Sequence, residues 1–345
     1  MASSRIMYID LLKCFAIFLV IWGHCIQYTS STPFLENNVF IFIYSFHMPL
    51  FFMLSGIFAG TIFKKTLIQC FGSKFRQLII PTIVNTVVIF FVSLLIDYIN
   101  GNEVSYSIKY FISYIIFKGW FLKALFSSIV IFYVSVLIFR NKLLAIICSN
   151  IAVLLIPYFS IYSINFAYPF FCAGYLTGQL LKSSLWNSLN RERGGEISIL
   201  LILAALFTIL FVNFRGNDLI YFSPIHIINK YSIDYTNLYT TCYRFTIGLT
   251  GSLFFILLFR AKGVSKQKIH SFFIATGQNT MGIFLLQSYF FVVLTTLLDF
   301  KDTNILIYSL AITPCISLLV LAGCLYMIQF IKRSSVISQL MIGSK

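Results

Sequence analysis

Residues 7–27 read MYIDLLKCFAIFLVIWGHCIQ, with Asp10, Lys13 and His24 set into an otherwise apolar run. A run of about this length is what an α-helix needs to cross roughly 30 Å of hydrocarbon. A removable leader would have an uninterrupted apolar core and a small-residue cleavage site. Here Arg5 precedes the run, Asp10 and Lys13 interrupt it, and no such site follows. The segment is therefore expected to stay as a first membrane span.

Comparable runs recur outward from it, at about 39–62, 78–98, 119–139, 143–160, 165–182, 197–213, 243–259, 278–298 and 304–331. The reading is all-α: one polytopic integral membrane domain over 1–345, with about ten transmembrane helices. The composition agrees, since 59% of the 345 residues are hydrophobic and only 10% are charged. A soluble core does not absorb that excess. In alternate connections Lys109, Lys118, Arg215, Lys230, Arg244 and Lys301 fall on one side. Every other lysine and arginine, Lys13 and Lys123 aside, falls on the other, which places both termini in the cytoplasm by the positive-inside rule. The expected location is the cell inner membrane, and the net charge of +15 is explained by topology. No continuous basic surface is left for nucleic acid, because the 18% aromatic residues lie inside the apolar runs. Of the eight cysteines, Cys14, Cys25, Cys148, Cys172, Cys315 and Cys324 sit in apolar segments, and none has metal-ligand spacing. No metal is expected.

Ionisable residues inside a span usually face a protein interior or a water-filled cavity. Lys13 and His24 are separated by about three helical turns, so they share one azimuth roughly 16 Å apart along the axis. Asp10, three positions before Lys13, lies on the same face. A neutral imidazole at the outer end of this stripe suits general-base work, while a polar contact between helices is the bland alternative. The second span brings His47 and Pro49 to a comparable depth, and Ser55-Gly56 there reads as close helix packing. Lys123, just inside the fourth span, either steadies an oxyanion or snorkels to the outer interface. Trp120 is an interfacial anchor or a cavity wall. Lys64, Lys65, Lys74 and Arg76 form an inner cluster that fixes topology, touches anionic lipid or grips phosphates. Gln278 and Asn279 open the ninth span and can line a cofactor path. Gln287, midway along it, serves that path or bonds between helices. The longest outer connection, about 214–242, is a lid or an ordered surface loop.

Together these segments resemble the acyltransferase 3 family of multi-span membrane acyltransferases, which includes bacterial O-acetyltransferases of envelope polysaccharides. The opening is the most specific part: Arg5, Asp10, Lys13 and His24 look like the family's first-helix pattern, with Lys13 where many members carry arginine. Phe46–Gly56, Trp120–Leu125, Tyr168–Gly174 and Gly277–Gln287 resemble further family segments, although Gln287 stands where several relatives have histidine. On this reading the placement and spacing of the residues set His24, Lys13, Lys123, His47 and Asp10 as the catalytic candidates, and Lys74, Arg76, Asn279 and Gln278 as the donor-binding candidates. The resemblance also implies no permanently bound cofactor. An acyl-CoA, most simply acetyl-CoA, would be the cytoplasmic co-substrate, and a glycan or lipid-linked sugar the acceptor. A transporter or flippase of such a sugar is the alternative.

Overall fold

The computed structural model describes residues 7–30, 33–101, 107–155, 162–184, 186, 193–220, 225, 227–229, 232–261, 271–298, 300 and 303–344. Arg5, Arg191, Lys230, Lys262, Lys266, Lys268, Lys301 and Lys345 of the charge pattern lie outside the described residues, as do Pro224 and His226 of the outer connection at about 214–242.

In hydrocarbon every backbone N–H and C=O must be satisfied within its own segment, which leaves the helix as the unit for such apolar sequence. The helices are α1 (Met7–Thr29), α2 (Asn38–Ile57), α3 (Leu67–Lys74), α4 (Ile80–Ile99), α5 (Ile108–Phe117) and α6 (Trp120–Phe139). There follow α7 (Lys142–Leu155), α8 (Ile164–Leu180), α9 (Arg193–Asn213), α10 (Tyr235–Ala261), α11 (Ser271–Gln278), α12 (Thr280–Leu297), α13 (Ile305–Ile331) and α14 (Ser335–Ile342). One two-residue antiparallel pairing, Ile228–Asn229 with Ser232–Ile233, interrupts the all-α pattern. Among the described residues eight helices are long and apolar enough to cross a membrane. The remaining two expected spans are helices as well, but shorter: α7 has 14 residues and α8 has 17.

Helix starts follow local chemistry. Asn37 caps α2 by accepting from the amides of Val39 and Phe40 at 3.0 and 3.1 Å. Thr66 and Gln69 close a capping box on α3. A π turn over Phe75–Ile79 then joins α3 to α4, just before Pro81, which has no amide hydrogen to give the ladder. Hydropathy starts this span at about 78, whereas the helical run begins at Leu67.

The helices α1 and α2 form the centre. Of their most apolar stretches 67% and 83% is buried, against 6% for the peripheral α9. The α2 and α8 backbones touch: a Cβ on Gly56 would collide with the Phe171 carbonyl oxygen, and one on Gly174 with that of Met53. Only residues without a side chain allow this approach, as in small-residue packing elsewhere in membranes. Gly56 is thus a packing element, as its sequence suggests, whereas the Ser55 hydroxyl bonds back to the Phe51 carbonyl at 2.9 Å. Around the rim, Phe91, Leu201, Ile209, Leu319 and Phe330 turn more than half of their surface outward, which suits lipid.

Candidate functional site

One face of α1 organises two cavities. Lys13, Ile17 and Val20 line an inner cavity of 290 Å³. Val20, His24, Gln27 and Tyr28 line an outer one of 230 Å³. These positions recur every three or four residues and so fall on one stripe of the helix. The Lys13 to His24 alignment expected from spacing is therefore present. Helix α2 runs the other way, with Tyr44 and His47 on the outer cavity, Phe51, Leu54 and Phe58 on the inner one, and Met48 on both. Helix α12 places Thr280 and Met281 on the inner cavity, Gln287 and Ser288 on the outer, and Phe284 on both.

In the outer cavity His47 is 1% exposed and its Nδ1 lies 2.8 Å from the Ile43 carbonyl oxygen. A carbonyl can only accept, so Nδ1 carries the hydrogen and Nε2 keeps its lone pair. The Tyr44 ring meets the imidazole edge-on at 4.3 Å. The half-buried ring of His24 packs at 6.0 Å against Phe291 in a T-shaped contact. Gln287 faces the same space at 1% exposure. Its Nε2 donates to the Phe284 carbonyl at 3.2 Å, while Oε1 is buried with no hydrogen-bond partner among the described residues. A buried acceptor without a partner is costly, and the imidazole of His24 stands within reach of this amide across the outer cavity.

Lys123 does not serve this space. It is 8% exposed, and its ammonium donates to the carbonyls of Ile115, Ile116 and Lys118 at 2.6, 2.7 and 2.8 Å. All three N–H bonds are committed to the C-terminal end of α5, an apolar helix of 10 residues that is too short to count as a span. Lys123 is thus a cap, which corrects both sequence expectations for it. The cap fixes the turn Phe117-Lys118-Gly119-Trp120, where Gly119 takes φ 70° and a Cβ would strike Thr82. All four residues of that turn line the outer cavity. The cation beside His24 is therefore Lys118, half-buried, with its ammonium 5.4 Å from the Tyr114 ring centre. Burial holds its pKa below the ordinary lysine value. Sequence reading counted Lys118 only as a topology marker. Trp120 is resolved as a cavity wall.

On the inner cavity, Lys13 lies with its ammonium 5.3 Å from the Phe58 ring centre. Lys74 also lines it and donates to Gln77 Oε1 at 2.9 Å. Arg76 does not line it: it is exposed and folds back onto the Gly72 carbonyl at 3.2 Å. Asn279 is likewise absent from the lining, because it accepts from Lys332 at 2.6 Å and donates to the Ala275 carbonyl at 2.7 Å. Gln278 is exposed. The residues that do line the inner cavity at this point are Thr280 and Met281, at the start of α12. Asp10 is buried at 7% exposure, with its carbonyl pressed against Gly277, and lines neither cavity.

The described part of the outer connection is tied down elsewhere. Arg244 holds the carbonyls of Asp218 and Leu219, and Asn165 donates to Ile225 at 2.9 Å. None of its described residues lines either cavity. Among the described residues there is no cluster of metal-ligating side chains.

Comparison with known proteins adds a lineage to this geometry. The chain is 30% identical over 190 residues to the nodulation protein NolL of Sinorhizobium fredii, covering 52% of this chain and 51% of the relative. It is 31% identical over 191 residues to the nodulation protein NolL of Mesorhizobium japonicum, covering 51% and 49%. The chain thus matches about half the length of these curated relatives. No solved structure matches it. The acyltransferase domain profile, in contrast, matches residues 6–329, nearly end to end. That match spans every wall of both cavities, and by it the chain belongs to the acyltransferase 3 family.

Proposed function

We propose that the protein is a membrane-bound O-acyltransferase that moves an acyl group, acetyl first of all, from cytoplasmic acyl-CoA to a sugar hydroxyl of a cell-envelope polysaccharide or exopolysaccharide. The observation that carries this reading is the pair of cavities meeting along one stripe of α1, cationic at Lys13 and imidazole-bearing at His24. The two sides have different chemistry. Lys13 and Lys74 stand at the inner cavity, where the anionic end of a CoA donor would approach, and the walls beyond them are apolar enough for its arm. The outer cavity combines Tyr28, Tyr44 and Trp120 with Gln27, Asn85 and Gln287. Flat apolar faces beside amide groups suit a sugar ring.

The reaction needs three services. A histidine takes the proton as the acceptor hydroxyl attacks the thioester carbon. His24 holds this role with His47 beside it, whose Nε2 lone pair is the alternative base. Lys118 steadies the developing oxyanion, in the place first assigned to Lys123. The C–S bond then breaks and the imidazolium returns its proton to the thiolate, so ester and free thiol leave together. A two-step route through an acyl-histidine satisfies the same balance. In this reading the chain crosses the plasma membrane ten times, with α7 and α8 as the short crossings and both ends on the donor side.

The test supplies acetyl-labelled acetyl-CoA to membranes carrying the wild type or His24→Ala and follows label into glycan. The variant is expected to lose about a hundredfold or more. Undiminished transfer would remove His24 from the mechanism. Movement of sugar without acyl incorporation would favour the transport alternative.

A further inference from the structure

A single layer of side chains separates the two cavities. Val20 of α1, Met48 of α2 and Phe284 of α12 each face the space beside Lys13 and also the space beside His24. They lie at one level: Val20 is one turn inward from His24, Met48 adjoins His47, and Phe284 is one turn inward from Gln287.

Two of the three are held in place. Val20 is 2% exposed and, being β-branched, has one strongly preferred rotamer in a helix. The Phe284 ring packs at 5.1 Å on Phe121, which is itself backed by Phe52 at 5.0 Å. Phe284 therefore has no room to swing toward α6. Met48 is the adaptable member, unbranched and followed by Pro49, which removes a backbone hydrogen bond from the turn.

We propose that Val20, Met48 and Phe284 form a filter for the acyl group, passing a short acyl chain toward the histidines and rejecting longer ones. The inference rests on the acyl-transfer reading above. The thiol-bearing arm stays on the Lys13 side while the carbonyl carbon must meet a hydroxyl on the His24 side. The reacting carbon therefore sits at the level of the neck, and whatever extends beyond it competes with these three side chains for space. The bonds exchanged are unchanged: C–S breaks, C–O forms, and the hydroxyl proton ends on the thiol. A steric wall of this kind discriminates by about tenfold or more per methylene.

The experiment uses membranes holding the full chain, given acetyl-, propionyl- or butyryl-CoA labelled in the acyl group. Label recovered in glycan is expressed as a butyryl-to-acetyl ratio within each preparation, which cancels the amount of folded protein. Phe284→Ala, Phe284→Leu and Val20→Ala are expected to raise that ratio, Phe284→Ala by about tenfold or more. Val20→Phe should lower propionyl transfer relative to acetyl. Leu319→Ala, on the lipid-facing side of α13, should keep the wild-type ratio. Unchanged ratios in the three widening variants, with acetyl transfer present, would overturn the filter and leave acyl transfer standing. So would a wild type that accepts butyryl as readily as acetyl. A wild type that transfers no acyl group from any donor would overturn both.

Discussion

Lys118 and Lys123 are five residues apart and stand in opposite settings, the first on the outer cavity and the second bound to the end of α5. Lys123 spends its three N–H groups on carbonyls of α5, so Lys123→Met leaves those oxygens without partners at a cost of about 1–3 kcal/mol each. A lowered melting temperature of the purified protein should show it. Lys118→Met should leave the melting temperature near wild type and reduce transfer, since its ammonium faces the cavity. The pH dependence follows from burial. Lys118 has its pKa lowered, so its charge is present below that value and disappears as pH rises through it, earlier than for an ordinary lysine. Transfer is therefore expected to fall on the alkaline side, and Lys118→Arg to move that limb to higher pH, because guanidinium stays charged. A limb that the arginine variant does not move would take Lys118 out of the chemistry. At this scale sequence distinguished the two poorly. A lysine inside an apolar run stands out and one at its edge reads as topology, but the bonds that occupy Lys123 come from a neighbouring short helix.

At the scale of elements, the contact of α2 with α8 is set by glycine. Gly174 and Gly178, one turn apart on α8, lie against the carbonyls of Met53 and Ile57, and Gly56 lies against Phe171. Gly56→Val or Gly174→Val puts a branched side chain where the other backbone runs. The helices must separate, and the cost is expected to exceed the roughly 1–3 kcal/mol of ordinary overpacking. Loss of the monodisperse peak in detergent size-exclusion chromatography checks this. A normal peak would mean that the two helices can spread without loss of fold. Hydropathy located both helices, and the Ser55-Gly56 pair marked a packing face. It could not say which helix packs there, because an apolar period carries no information about its neighbour. Asn279 shows the same limit: its place at the start of α12 was legible, but its bond to Lys332 joins residues far apart in sequence.

For the whole molecule, the proposed ten-span topology places α3 inside and the start of α5 outside. With the exposed Cys242 and Cys315 replaced by serine, Gln69→Cys should react with a membrane-impermeant maleimide only after permeabilisation. Ser107→Cys, exposed before α5, should react on intact cells. Labelling of both from the same side would break the proposed alternation. Sequence by itself determined that the chain is a bundle of apolar helices, because the thickness of hydrocarbon and the need to satisfy backbone groups leave little else. It also aligned Lys13 with His24, since helical period alone puts them on one stripe. Only the tertiary structure decided what that stripe faces. It divided the space into two cavities at Val20, Met48 and Phe284, brought Lys118 to His24 and turned Arg76 and Asn279 away. Those outcomes depend on which helices meet and at what height, and that is settled by glycine contacts, caps and ring packing between residues remote in the chain.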